Sequence, residues 1–240
     1  MKYKIFVISL LENNTKRRGY VEKQLTGVVD YEFVDAVVGN LIDKENDTRI
    51  SKEAYWLRPG QLGCALSHVI CYQKIIEQEL DFGIILEDDF FLKNPNVFDL
   101  SNDFFSTISN TSTVISYFAH TFSSEELTIK KYNIPFFRLT KGRPIMALAY
   151  LINKKACQKF LDKAYPIITV ADDWKMFIDL EIVDNFFIQY PFPIVHGNFE
   201  SQIGYSPQGR KQKILHFLKT KIGISLNFVD KRKYIIIEND

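Results

Sequence analysis

The sequence predicts an α/β fold, a sheet with helices covering its faces. Three observations lead there. Strand-like and helix-like stretches alternate through the first two thirds of the chain. Phe82-Gly83-Ile84-Ile85-Leu86 is an unbroken apolar run of strand length, as in strands buried on both faces. After Pro59, the residues Leu62, Ala65, Leu66, Val69, Ile70 and Ile76 recur close to a 3.6-residue period, which marks a helix with one apolar face.

The elements follow in order. Lys4–Leu10 is an apolar first strand. Asn13 or Asn14 is a suitable cap for a helix ending near Leu25. Tyr31–Val37 alternates like a strand, and Asp43–Ala54 is polar enough for a short helix or loop. Pro59 occupies the first turn of the long helix. Phe98–Ile108 reads as helix, Thr113–Phe118 as strand, and Ile129–Leu139 as a hairpin. Ile145–Ile152 reads as a strand, and Asn153 then caps a helix from Lys154 to about Ala164. Asp173–Ile182 is helical in pattern, and Phe186–Tyr190 supplies a last strand.

With 240 residues, 46% of them apolar, the chain has enough material for a sizeable core, in one large domain or two small ones. A net charge of +1 argues against general nucleic-acid binding. Cys64, Cys71 and Cys157 are odd in number and lack metal-ligand spacing, so they read as buried thiols in a reducing compartment. The N-terminal apolar run is too short for a signal peptide, and no segment is long and apolar enough to span a bilayer. The expected location is cytoplasmic. The last stretch differs: Arg210, Lys211, Lys213, Lys219 and Lys221 alternate with Ile214, Leu215, Phe217 and Leu218. It suits either an anionic membrane surface or a packed helix with a solvated lysine face.

Chemistry concentrates at Glu87-Asp88-Asp89, directly after the buried strand. In open α/β sheets ligands bind beyond the carboxyl ends of strands. Two like charges about 4 Å apart repel by roughly 4 kcal/mol at an effective dielectric near 20. The triplet is either a solvated acidic turn or a site for a hard cation such as Mg²⁺ or Mn²⁺, which would draw in a phosphate-bearing substrate. A second acidic pair, Asp172-Asp173, precedes Trp174 at a helix start, where one carboxylate caps the helix or acts as a base. Trp174 either stacks on a sugar or packs in the core. Arg17 and Arg18 follow the first strand and suit phosphate. Asp35 ends the second strand, where an acidic group meets a ribose. His68 shares a helix face with Cys64, and His196 precedes Gly197 where an imidazole could reach a metal.

The ordered set of motifs resembles glycosyltransferase family 25, whose bacterial members include lipooligosaccharide galactosyltransferases. It comprises Val7-Ile8-Ser9-Leu10 with Arg17-Arg18, Phe33-Val34-Asp35-Ala36, and Pro59-Gly60-Gln61-Leu62-Gly63-Cys64-Ala65-Leu66-Ser67-His68. It continues with Ile84-Ile85-Leu86-Glu87-Asp88-Asp89, Ala149-Tyr150-Leu151-Ile152, Asp172-Asp173-Trp174 and Glu200-Ser201-Gln202-Ile203-Gly204. The resemblance implies a GT-A-like nucleotide-sugar-binding domain over residues 1–208, with a mixed, mainly parallel sheet, followed by the basic tail at 209–240. It implies an inverting transfer of a sugar, galactose being the common one, from a UDP-sugar donor to a saccharide acceptor, commonly a lipid-linked oligosaccharide. Contact with the inner membrane surface would then suit the tail. Asp89 becomes the principal ligand of Mn²⁺ or Mg²⁺, with Glu87 and His196 beside it. Ser9, Arg17, Asp35, His68 and Asp88 become donor-binding residues, and Asp173, ahead of Asp172, becomes the base. The rival expectations are a metal-dependent phosphoesterase and a non-catalytic nucleotide-sugar-binding protein.

Overall fold

The computed structural model describes residues 2–11, 15–98, 109–119, 128–129, 136–138, 144–197, 199 and 236–237. A nine-stranded mixed sheet runs in the order β11-β6-β7-β9-β5-β8-β3-β1-β2. Its strands are β1 (Tyr3–Ser9), β2 (Tyr31–Asp35), β3 (Phe82–Glu87), β5 (Thr113–Ser116), β6 (Thr128–Ile129), β7 (Phe136–Arg138), β8 (Ala149–Asn153), β9 (Asn185–Gln189) and β11 (Ile236–Ile237). A separate antiparallel pair joins β4 (Phe90–Leu92) to β10 (Ile194–His196). Among the described residues the helices are α1 (Thr15–Leu25), α2 (Pro59–Glu77), α3 (Lys154–Lys163) and α4 (Trp174–Asp179). None of them is long and apolar enough to cross a membrane.

Parallel pairing is concentrated where the acidic triplet sits: β1 pairs in parallel with both β2 and β3. β8 lies antiparallel against β3 and β5, so the sheet as a whole is evenly mixed rather than mainly parallel. Side chains alternate between two cores, as the two-residue repeat of a strand requires. Phe6, Ile8, Ile85, Tyr150 and Ile152 face a core shared with α2, α3 and α4. Ile5, Val7, Ile84, Leu86 and Leu151 face the other, where α1 contributes Val21 and Leu25. Both faces are therefore covered, as the apolar run of β3 predicts.

Several boundaries move for identifiable reasons. β8 begins at Ala149, because Met146 has φ 109°, a backbone state incompatible with an extended strand. α4 covers Trp174–Asp179, and Asp173 lies just outside it as the cap. β10 went unpredicted: its three residues, between Pro193 and Gly197, are too few to establish a period. Cys64 is partly exposed, whereas Cys71 and Cys157 are buried as expected, and all three are free. The backbone pairing of β6 with β7 matches the expected hairpin. The cap at Asn13 or Asn14, the helix after Phe98 and the motif at 200–204 lie outside the described residues. Of the basic tail only β11 is described, and it pairs in parallel with β6.

Asn153 caps α3 as predicted. Its Oδ1 accepts from Ala156 N at 3.0 Å and from Thr113 N at 3.1 Å, while its Nδ2 donates to Thr111 O at 2.7 Å. One buried side chain thus ties α3 to the start of β5. Asn153→Ala removes the cap and strands a buried N–H of β5, so urea unfolding should show a loss of about 2–4 kcal/mol at unchanged slope. Asn153→Asp, which keeps both acceptor bonds, should lose less.

Candidate functional site

The parallel register brings chemistry to one edge of the sheet. Ser9 is level with Asp35, and Ile8 with Glu87, so the ends of β1, β2 and β3 converge. β8 closes the far side, where Glu87 N donates to Leu148 O at 2.8 Å. The β4–β10 pair sets His196 opposite Phe90, and Gly197 N donates to Asp89 O at 2.6 Å. A Cβ at residue 197 would stand 2.8 Å from that same carbonyl oxygen, so only glycine permits the approach.

The three consecutive carboxylates find three different environments. Asp88 is 5% exposed and fully engaged: Oδ1 accepts from Arg17 Nη1 at 2.5 Å and Oδ2 from Ser9 Oγ at 2.8 Å. Glu87 falls on the α2 face of β3. Its Oε1 lies 3.4 Å from His68 Nε2 and 3.8 Å from Cys64 Sγ. Burial pushes its carboxyl up, but His68, with help from His196, more than offsets this and holds it below the usual carboxylate range. Behind His68 runs a buried hydroxyl chain, with Nδ1 2.7 Å from Tyr150 Oη and Tyr150 Oη 2.9 Å from Tyr72 Oη.

Asp89 is the unmatched member. Its Oδ1 is buried with no hydrogen-bond partner among the described residues. Its Oδ2 lies 3.7 Å from Arg17 Nη1 and 3.8 Å from His196 Nδ1, both too long for hydrogen bonds. Burial first, and the charge of Glu87 second, push its carboxyl up to about 6. A buried carboxylate oxygen with open valence, beside an imidazole and a second carboxylate, fits a hard or borderline divalent ion such as Mn²⁺ or Mg²⁺. Asp89 and His196 are the nearest candidates to hold one, with Glu87 acting on Asp89 through its charge while its Oε1 lies beside His68 and Cys64.

The second acidic pair divides its labour. Asp173 caps α4, its Oδ1 accepting from Met176 N at 3.4 Å and its Oδ2 from Thr169 Oγ1 at 3.3 Å. Asp172 instead turns toward the triplet. Burial pushes its carboxyl up, the Met146 N–H opposes this, and the charge of Glu87 adds to it. Met146 N donates to Asp172 Oδ2 at 3.0 Å, and Met146 O accepts from Trp174 Nε1 at 3.0 Å. Both backbone groups of a residue at φ 109° are thereby clamped by the pair that flanks Asp173. Trp174 is 1% exposed and edges onto Tyr150, so it packs in the core rather than presenting a stacking face.

Of the residues singled out from sequence, Glu87, Asp88, Asp89, Ser9, Arg17, His68, Asp172 and His196 come together. Asp35 stands at the exposed rim, held by Arg18 Nη2 at 2.6 Å, with that guanidinium over the Phe33 ring. Sequence reasoning missed Tyr72, Tyr150 and Met146. Tyrosines inside apolar strand and helix patterns carry no polar signal, although Cys64 and His68 at i, i+4 did mark the face that Tyr150 meets.

The unmatched Asp89 has a measurable consequence. Its folded value, about 6, exceeds its unfolded value of about 4, so the metal-free fold holds this proton where the unfolded chain has released it. The stability contributed is fully present below about pH 4 and is lost as pH rises through about 6. Without divalent ions, Asp89→Asn should exceed wild type by about 1–3 kcal/mol in urea unfolding at pH 7, with the gap closing toward pH 4. A wild type as stable as the variant at pH 7 would contradict this placement.

Comparison with known proteins follows the same residues. Residues 2–176 match the family described as glycosyltransferase family 25 (LPS biosynthesis protein), a span that includes both acidic clusters but not His196. Procollagen galactosyltransferase 1-B of Xenopus laevis is 30% identical over 95 residues, covering 35% of this chain and 16% of that protein. A putative glycosyltransferase of Haemophilus influenzae is 32% identical over 91 residues, covering 36% of this chain and 32% of that protein. The matched segments thus span a third or less of those relatives. Among solved structures, a glycosyltransferase involved in the glycosylation of the major capsid of PBCV-1 aligns at TM-score 0.39 and 14% identity, covering 78% of this chain and 81% of that one. A197 from STIV aligns at TM-score 0.43 and 8% identity, covering 87% of this chain and 100% of that one. With the family match running through Ser9, Arg17, the acidic triplet and Asp172, this chain belongs to glycosyltransferase family 25.

Proposed function

We propose that this protein is a metal-assisted glycosyltransferase that moves a sugar, galactose from UDP-galactose first among candidates, onto a saccharide acceptor with inversion. The observation that carries the reading is Asp89: a buried carboxylate with an unpartnered oxygen, at the carboxyl edge of β3, in a family-25 chain. The names of the Xenopus relatives motivate galactose. A lipid-linked acceptor, a GT-A-like donor domain and contact of the basic tail with a membrane surface belong to the same proposal.

Mn²⁺ held by Asp89, with His196 and Glu87 beside it, would supply charge neutralisation to a departing diphosphate. The remaining roles fall to the chain itself. Ser9 and Arg17 lock Asp88, which fixes the turn that carries Asp89. Arg17, packed beneath the site and over the Phe199 ring, adds positive charge where phosphates would lie. Asp35, at the exposed end of β2, is placed for a ribose or base edge. Asp172 is the base, in place of Asp173. One of its oxygens is anchored by Met146 N, and its raised affinity for a proton suits it to take one from an acceptor hydroxyl. Asp173 supports α4.

UDP release from a panel of UDP-sugars, with Mn²⁺ and with chelator, tests the reading. Slow metal-dependent release from a single donor is expected, together with donor binding in the same samples. Absence of both binding and release across the panel, with and without saccharide acceptors, would overturn it. Asp172→Asn should lower turnover about 10²–10⁴-fold while keeping donor binding. Asp173→Asn should act mainly on stability. A larger loss of turnover at Asp173 would reassign the base.

A further inference from the structure

Glu87 stands between two sets of neighbours, Asp89 and His196 on one side and α2 on the other. On its α2 side lie Cys64 and His68, one helical turn apart on the same face. The ligand atoms of Cys64, His68 and Glu87 all fall within 4.8 Å of one another. Zn²⁺ bonds of about 2.3 Å to sulfur and about 2.0–2.2 Å to nitrogen and oxygen give tetrahedral edges of roughly 3.3–3.6 Å. The observed separations from Glu87 Oε1 are 3.4 Å to His68 Nε2 and 3.8 Å to Cys64 Sγ. Two of the three separations are thus close to a tetrahedral edge, and the third, between Cys64 and His68, is within 4.8 Å, so a small closure of the cluster would seat an ion.

We propose that Cys64, His68 and Glu87 form a second metal site, selective for Zn²⁺ and other thiophilic ions, distinct from the hard-ion position at Asp89. Thiolate and imidazole favour zinc over manganese or magnesium, whereas an oxygen-rich set does not. His68 is prepared as a ligand. Its Nδ1 is fixed by Tyr150 Oη, and that hydroxyl by Tyr72 Oη, so the ring is oriented with Nε2 toward the other two donors. The hydroxyl chain reverses without breaking. With Nε2 protonated, that N–H donates to Glu87, and Tyr150 donates to Nδ1. With Nδ1 protonated, it donates to Tyr150 and leaves the Nε2 lone pair for a metal. The exchange of tautomers takes no proton off the ring, and coordination by Cys64 releases its thiol proton. Cys64 and Glu87 are partly exposed while His68 is buried, which puts the ion's entrance on the Cys64–Glu87 side. The fourth tetrahedral position is left for water or a carboxylate.

The consequence for activity rests on the transferase reading: zinc draws Glu87 toward α2 and away from the Asp89 position, so it should inhibit. The binding test needs no sugar donor and stands or falls separately. The full chain is titrated with Co²⁺, a spectroscopic substitute for zinc. A thiolate-to-cobalt charge-transfer band should saturate at a single equivalent, disappear on adding Zn²⁺, persist in excess Mg²⁺, and be lost in Cys64→Ala. Cys71 and Cys157, buried in the core, cannot supply it without unfolding. Absence of the band in wild type, or an undiminished band in Cys64→Ala, overturns the site. Alkylation of wild-type Cys64 followed by mass spectrometry gives a second reading that needs no variant. Zn²⁺ should slow it several-fold, and an unchanged rate refutes the proposal.

Discussion

The structure is arranged around a concentration of negative charge that a buried strand delivers to one point. β3 is apolar on both faces, so the first positions at which carboxylates can emerge are those at its end. Three in succession would repel strongly if left bare. The fold disperses them by direction. Glu87 follows the strand alternation to the α2 face and meets His68. Asp88, one residue on, turns to the α1 face and meets Arg17 and Ser9. Asp89 receives a hydrogen bond from none of these, Arg17 Nη1 standing 3.7 Å from its Oδ2. What remains is a single buried carboxylate without a hydrogen bond to its Oδ1 among the described residues, open to a proton or to an added cation, and that remainder is the basis for the proposed chemistry.

The sorting depends on elements far from the turn in sequence. Arg17 reaches Asp88 because Val21 and Leu25 seat α1 on the core that Ile84 and Leu86 share. His68 reaches Glu87 because Leu62, Leu66, Val69 and Ile75 seat α2 on the opposite core. Gly63 allows the approach of α2, since a Cβ there would lie 2.4 Å from Val37 O. Packing on one face thus sets the Arg17–Asp88 ion pair, and packing on the other sets the His68–Glu87 contact. A change in either core would therefore alter the electrostatics of the site as well as stability.

The parts legible in the sequence were those governed by local pattern. β1, β3, α2 and the Asn153 cap follow from period and capping chemistry, and the acidic triplet follows from adjacency. Long-range register was not legible. Nothing local indicates that β8 enters antiparallel and brings Tyr150 against His68, or that Ile194–His196 pairs with β4. The choice between Asp172 and Asp173 also lay beyond local pattern. A carboxylate before a helix is a favoured cap, but which of two neighbours takes that role depends on where Met146 lies, and Met146 is 26 residues away.

That distance gives Met146 its significance. A methionine at φ 109° is held in a conformation that costs on the order of 1–3 kcal/mol, and such residues persist only where their surroundings over-determine them. Here the surroundings are Asp172 at its N–H and Trp174 at its carbonyl. Two residues on, Leu148 O accepts from Glu87 N at the edge of β3. The segment before β8 therefore joins Asp172 to the acidic triplet through backbone groups. Backbone hydrogen bonds are shorter and stiffer connectors than long side chains, so the sheet itself sets the spacing between Asp172 and the acidic triplet, the proposed base and the proposed metal ligands. A transfer that must align a hydroxyl, an anomeric carbon and a departing diphosphate gains most from such rigidity, because small misplacements of the reacting groups carry large rate penalties. The strain at Met146 fits the proposed role of Asp172: it costs stability at a point whose N–H holds one oxygen of that carboxylate in place.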